Sequence, residues 1–132
     1  MRYTLFILFI IIQSASFAQE KVNPIIKSYG GIYDIPEATV KPDPNQEYKI
    51  IIDVFGGAEN KTKIDGSLNN VARMLNLHAV GGVAAEKMKV VLALHGNSTY
   101  SIVNDELYKS KFGTANPNAA LVKELNPDYA LE

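Results

Sequence analysis

The chain has 132 residues, 47% of them hydrophobic, with 13 basic and 14 acidic side chains, two histidines and no cysteine. A net charge of −1 offers no attraction for nucleic acid or for an anionic membrane surface. Without a cysteine, disulfide frameworks and thiol chemistry are excluded, and packing must hold the fold.

Residues 1–18 read as a secretory signal. Arg2 is the basic start, Leu5 to Ile12 is an unbroken apolar run, and Ser16 and Ala18 are the small residues a signal peptidase needs ahead of Gln19. The run is far shorter than the roughly 20 apolar residues needed to span a bilayer. Export, periplasmic or secreted, is therefore expected, with no membrane association after cleavage. Cleavage would leave 114 residues, enough for one domain, with 12 basic and 14 acidic groups.

Residues 19–46 carry four prolines, Pro24, Pro36, Pro42 and Pro44, and the pair Gly30-Gly31. Their apolar residues, among them Ile25, Ile26, Tyr29 and Ile32, come in short clusters. This predicts an extended arm packed along the domain rather than a helix.

The α/β domain is assigned to residues 47–132. Tyr48 to Phe55 is β-branched and aromatic and ends at Gly56-Gly57, which predicts a strand. Asp53 interrupts it, with a bond to neighbouring backbone or to a lysine as its expected role. Asp65 or Ser67 can cap the next helix, in which Leu68, Val71, Ala72, Leu75 and Ala79 recur at spacings of three and four, and Gly81-Gly82 ends it. Lys89 to Leu94 is nearly continuous in apolar character, fits a strand buried on both faces, and completes a parallel βαβ unit.

Ser98 or Thr99 can cap a shorter helix with Val103 and Leu107 inward, closed by Gly113. Asn116-Pro117 predicts a last helix starting at the proline, with Leu121, Val122 and Leu125 inward and Pro127 as its stop. Two strands are few for three helices. Either the arm supplies a strand around Gly31 to Ile35, or neighbouring subunits complete the sheet, or the sequence is a piece of a longer chain.

In open parallel sheets ligands bind beyond the carboxyl ends of the strands. That rule selects Gly56, Gly57, His95, Gly96, Asn97 and Ser98 as ligand-binding candidates. His95 could exchange a proton or fix its own loop. With His78 as the only other histidine, a metal would need carboxylates such as Asp53, so no metal is expected. Ser98 lacks the setting of a hydrolase nucleophile, and the glycine pair lacks a full phosphate-binding fingerprint. No catalytic residue and no cofactor is assigned. Asn60-Lys61-Thr62 and Asn97-Ser98-Thr99 match the glycosylation acceptor pattern, which matters only in a eukaryotic secretory pathway.

Several stretches together resemble the exported branch of the DsrE/DsrF-like family: Tyr33-Asp-Ile-Pro36, Lys41-Pro-Asp-Pro44, Tyr48 to Val54, Leu68-Asn-Asn-Val-Ala-Arg73, Leu75-Asn-Leu-His78, Lys89-Val-Val91 with His95-Gly96, Asn104 to Tyr108, and Asn116-Pro-Asn118. The resemblance spans roughly Tyr29 to Asn126. It implies a Rossmann-like three-layer α/β/α fold with a mostly parallel sheet, assembly with like or related subunits, and a link to sulfur relay. Relatives carry sulfur as a persulfide on a cysteine that this chain lacks. The expectation is therefore a non-catalytic binding or assembly subunit for a small sulfur-containing or anionic ligand. The alternative is sulfur transfer through a cysteine of a partner chain or of a missing C-terminal part.

Overall fold

The computed structural model describes residues 19–127. The stretch expected to be a secretory signal and the last residues of the assigned domain lie outside them. The fold is mixed α/β, with a small parallel two-stranded sheet and several helices. In chain order come the arm, β1 (Tyr48–Phe55), α1 (Gly66–Val80), a 3₁₀ turn (Ala85–Lys87), β2 (Met88–His95), a 3₁₀ helix (Gly96–Ile102), α2 (Asp105–Phe112) and α3 (Ala119–Leu125).

The strands pair over their whole length, from Tyr48 opposite Met88 to Phe55 opposite His95. Side chains alternate between the faces of a strand. Ile50, Ile52 and Val54 of β1 and Val90, Leu92 and Leu94 of β2 therefore share one face, which α1 and α3 cover. Val54 is 1% exposed, and the core continues through Leu68, Ala72, Leu121, Val122 and the arm residue Ile26.

The opposite face carries Ile51, Phe55 and Val91, all exposed among the described residues. The expectation that β2 is buried on both faces is thereby corrected. An apolar run reports a lack of polar side chains, not a second covering layer, and among the described residues only one face has helices on it.

Local chemistry sets the helix ends. Asp65 caps α1, its carboxylate accepting the Ser67 N–H at 2.8 Å, and Gly81 ends the helix. Asn104 caps α2 by accepting the Leu107 N–H, and Gly113, at φ 76°, closes it. Three expectations shift. Tyr108, not Leu107, is the inward residue of α2; Leu107 is half-exposed. The segment after His95 is a 3₁₀ helix in which Ser98 and Thr99 are interior residues rather than caps. The last helix starts at Ala119, because Asn116 turns its side chain onto the Asn118 N–H and delays the first helical turn by two residues.

The arm packs against α1 as expected but adds no strand to the sheet. Its only bridge is antiparallel, between Val22 and Ile32. Asn76 of α1, completely buried, accepts from the N–H groups of Ile25 and Ile26 and donates to the carbonyls of Ile26, Tyr29 and Gly30. A side chain thus does the pairing that a sheet neighbour would have done. Among the described residues no helix is long and apolar enough to cross a membrane.

Candidate functional site

All six candidate residues gather at the carboxyl edge of the sheet. Because β1 and β2 are parallel and in register, Phe55 and His95 end side by side, and the loops that follow leave from the same edge. Gly57, at φ 79°, passes so close to the second loop that a Cβ there would sit 2.8 Å from the Asn97 carbonyl oxygen. A side chain at that position would drive the loops apart. Gly96 serves the same closeness on the other side, since a Cβ on it would meet the Phe55 ring at 2.9 Å.

Ser98 is fully buried, and its hydroxyl lies 2.6 Å from the Val54 carbonyl and 2.7 Å from the His95 carbonyl. One hydroxyl proton shared between two main-chain acceptors ties the second loop to the end of β1. No imidazole faces that hydroxyl, so it has no base to make it a nucleophile. Ser98 is a fastening, and the cap expected of it belongs to Asn104.

His95 projects from the other side of the sheet. Its Nε2 lies 2.5 Å from Asp53 Oδ1, and its ring centroid lies 5.0 Å from that of Phe55. Asp53 therefore does not bond to backbone or lysine as expected. Its odd position in β1 puts it on the same face as His95, two residues before Phe55, where a strand diagonal brings the two side chains together. Both remain exposed, at 73% for Asp53 and 55% for His95. A carboxylate on Nε2 orients the ring and leaves Nδ1 as the imidazole's second contact point.

The other histidine has a packing role. His78 Nδ1 contacts the Met74 carbonyl at 2.8 Å, and the ring meets Tyr48 edge-on. No group of three or more His, Asp or Glu side chains suited to a metal ion exists among the described residues.

A second polar cluster lies behind the site and was not visible in the sequence. The Asp65 N–H donates to Asn118 Oδ1 at 2.6 Å, Ser101 donates to Asp65 Oδ2, and Asn116 Nδ2 donates to the carbonyls of Ser101 and Val103. Asp65, Ser101, Asn116 and Asn118 are all buried. These bonds lock the starts of α1 and α3 to the 3₁₀ helix, and among the described residues no buried side-chain nitrogen or oxygen lacks a partner. A groove of about 570 Å³ runs beside β2, lined by side chains such as Leu75, Leu92, Leu94, Ile102 and Leu125. Its lining is apolar apart from Asn126.

No family model matches the chain, and no curated protein or solved structure matches it.

Proposed function

We propose that the chain is an exported DsrE/DsrF-like subunit that binds or assembles rather than catalyses, with the His95 imidazole as its ligand contact. The supporting observation is the 2.5 Å contact between Asp53 and His95 at the carboxyl edge of two parallel strands. That edge is where open α/β sheets bind ligands. The carboxylate fixes the ring, the loop glycines let the two loops pass close together, and the Ser98 and Thr99 hydroxyls both donate to main-chain carbonyls. Such a site can hold a small molecule, and it offers neither a thiol nor a hydroxyl paired with a base to react with it. The same reading carries a Rossmann-like three-layer sandwich, of which the described residues supply two layers and leave the face bearing Ile51 and Val91 to be covered from outside them.

Thiosulfate is both anionic and sulfur-containing, so it is the first probe, with inorganic phosphate beside it. Titrating the full chain with each while following the His95 ring and Gly57 amide resonances should show saturable shifts that His95→Ala abolishes. Unmoved resonances with both probes would overturn the anion-binding reading. A persulfide found only after mixing with a thiol-bearing partner protein would replace it with sulfur transfer.

A further inference from the structure

The outward face of the sheet, which carries the Asp53–His95 pair near its carboxyl edge, has an order of its own along the strands. Register places Lys49 beside Lys89, then Ile51 beside Val91, then Asp53 beside Ala93, then Phe55 beside His95. Read along the strands, the face is basic, then apolar, then acidic. Ile51 is 79% exposed and Val91 60%. Exposed β-branched side chains at facing positions form a strip that costs free energy to leave in water. Lys49 approaches only Glu47, at 4.0 Å with both side chains largely exposed, and Lys89 makes no ion pair among the described residues.

We propose that this face docks a second copy of the chain, related by a two-fold axis that crosses the strands at Ile51 and Val91. A two-fold interface brings one patch against itself, so the order of rows decides the register. With the strands of the two copies antiparallel, Ile51 and Val91 pack on their own counterparts. Lys49 then stands over the partner's Asp53, and Lys89 over the partner's Ala93 and diagonal to the partner's Asp53. With the strands parallel, both lysines would face the partner's lysines, which costs free energy. The face is therefore complementary to its own inverse, which favours this chain as the occupant over an unrelated protein.

The area sets the strength. Two strands of this length make a face of about 10 Å by 26 Å, well below the roughly 800 Å² per partner of a standard stable interface. The dimer is therefore weak, reversible and weakened by salt. It also brings the partner's Lys49 to the Asp53–His95 pair, adding a cation to a site that has none of its own.

Sedimentation equilibrium of the full chain, over a range of concentrations at low and high salt, tests the proposal without any ligand. The expected result is a monomer–dimer equilibrium that shifts to monomer as salt rises. Val91→Lys should abolish the dimer without lowering the unfolding midpoint, because the side chain is exposed. Ala93→Glu should tighten the dimer roughly two- to tenfold by placing a carboxylate opposite the partner's Lys89 in two symmetric pairs. A chain that stays monomeric throughout, or a dimer indifferent to Val91→Lys, would overturn the proposal. Weakening by Ala93→Glu would overturn the antiparallel register. A Val91-dependent complex with a different protein, the chain alone being monomeric, would assign the face to that protein instead.

Discussion

Asn76 grips the main chain of Ile26 from both sides: its Oδ1 accepts the Ile26 N–H at 2.9 Å, and its Nδ2 donates to the Ile26 carbonyl at 3.2 Å. The same amide also serves Ile25, Tyr29 and Gly30, so one side chain of α1 satisfies five main-chain groups of the arm. Asn76→Leu keeps the volume and strands the Ile25 and Ile26 N–H groups and the Gly30 carbonyl, while the Ile26 and Tyr29 carbonyls keep Asn23 Nδ2 as a donor. Each unsatisfied group costs about 1–3 kcal/mol, so the expected loss is about 3 kcal/mol or more, read from urea unfolding. Limited proteolysis should find new cleavage within residues 19–35, because the arm loses its main attachment to α1.

That amide also marks the limit of what the sequence could say. The two strands, α1 with Asp65 or Ser67 as its cap, and the Gly113 closure were legible because each rests on neighbours in the chain: a β-branched run, a three–four repeat, a capping side chain beside the first free N–H groups. Of the two candidates the cap is Asp65. Asn76 partners residues 46 to 51 positions away, and in a helical repeat it reads as an ordinary polar residue. The cluster of Asp65, Ser101, Asn116 and Asn118 was hidden for the same reason. Burial was the other blind spot. Ile51 and Val91 have the composition of two-sided burial, and only the arrangement of the helices reveals that one face is open. At the site, the loop residues were found by the strand-end rule, but the partner of His95 was not, because pairing Asp53 with His95 needs the strand register.

Tyr108 should make the fold sensitive to alkali. The residue is 2% exposed, and its hydroxyl donates to the Lys61 carbonyl at 3.1 Å. Burial, and secondarily the Asp65 carboxylate, raise the phenol above its ordinary value of 10.0. The folded state thus holds the proton more tightly than the unfolded state does. Its contribution is fully present below pH 10 and is lost as pH rises through the raised folded value. Tyr108→Phe should cost about 1 kcal/mol at neutral pH through the lost hydrogen bond and flatten the alkaline fall in stability. Urea midpoints between neutral pH and pH 11 for both proteins would check this; equal slopes would refute it.

The two glycines after β1 should respond differently to the same change. Both have positive φ, 99° at Gly56 and 79° at Gly57, but a Cβ at Gly56 would meet nothing within 4 Å. Gly56→Ala therefore carries only backbone strain, about 1–2 kcal/mol. Gly57→Ala adds a collision with the Asn97 carbonyl, whose loop is tied down by Ser98, and should cost more. Amide shifts at Asn97 and Ser98 should move for the second variant and stay for the first. Equal spectra would mean that the loops are not in contact.

Binding and stability should separate cleanly between Asp53 and Ser98. The Asp53–His95 pair is exposed on both sides, and exposed ion pairs contribute at most about 1 kcal/mol. Asp53→Asn should therefore leave the unfolding midpoint almost unchanged. It removes the carboxylate that orients the ring, so the thiosulfate response of His95 should weaken severalfold. Ser98→Ala does the reverse. It strips the shared hydrogen bond from the Val54 and His95 carbonyls in a buried position, which should cost about 1–2 kcal/mol, while the His95 ring on the opposite side keeps its partner and its response. Unfolding midpoints and ring titrations on both variants decide the matter. If Ser98→Ala abolished the response with the fold intact, the hydroxyl rather than the imidazole would be the contact. If Asp53→Asn lowered the midpoint as much as Ser98→Ala, the pair would be a fastening of the sheet edge rather than a ligand site.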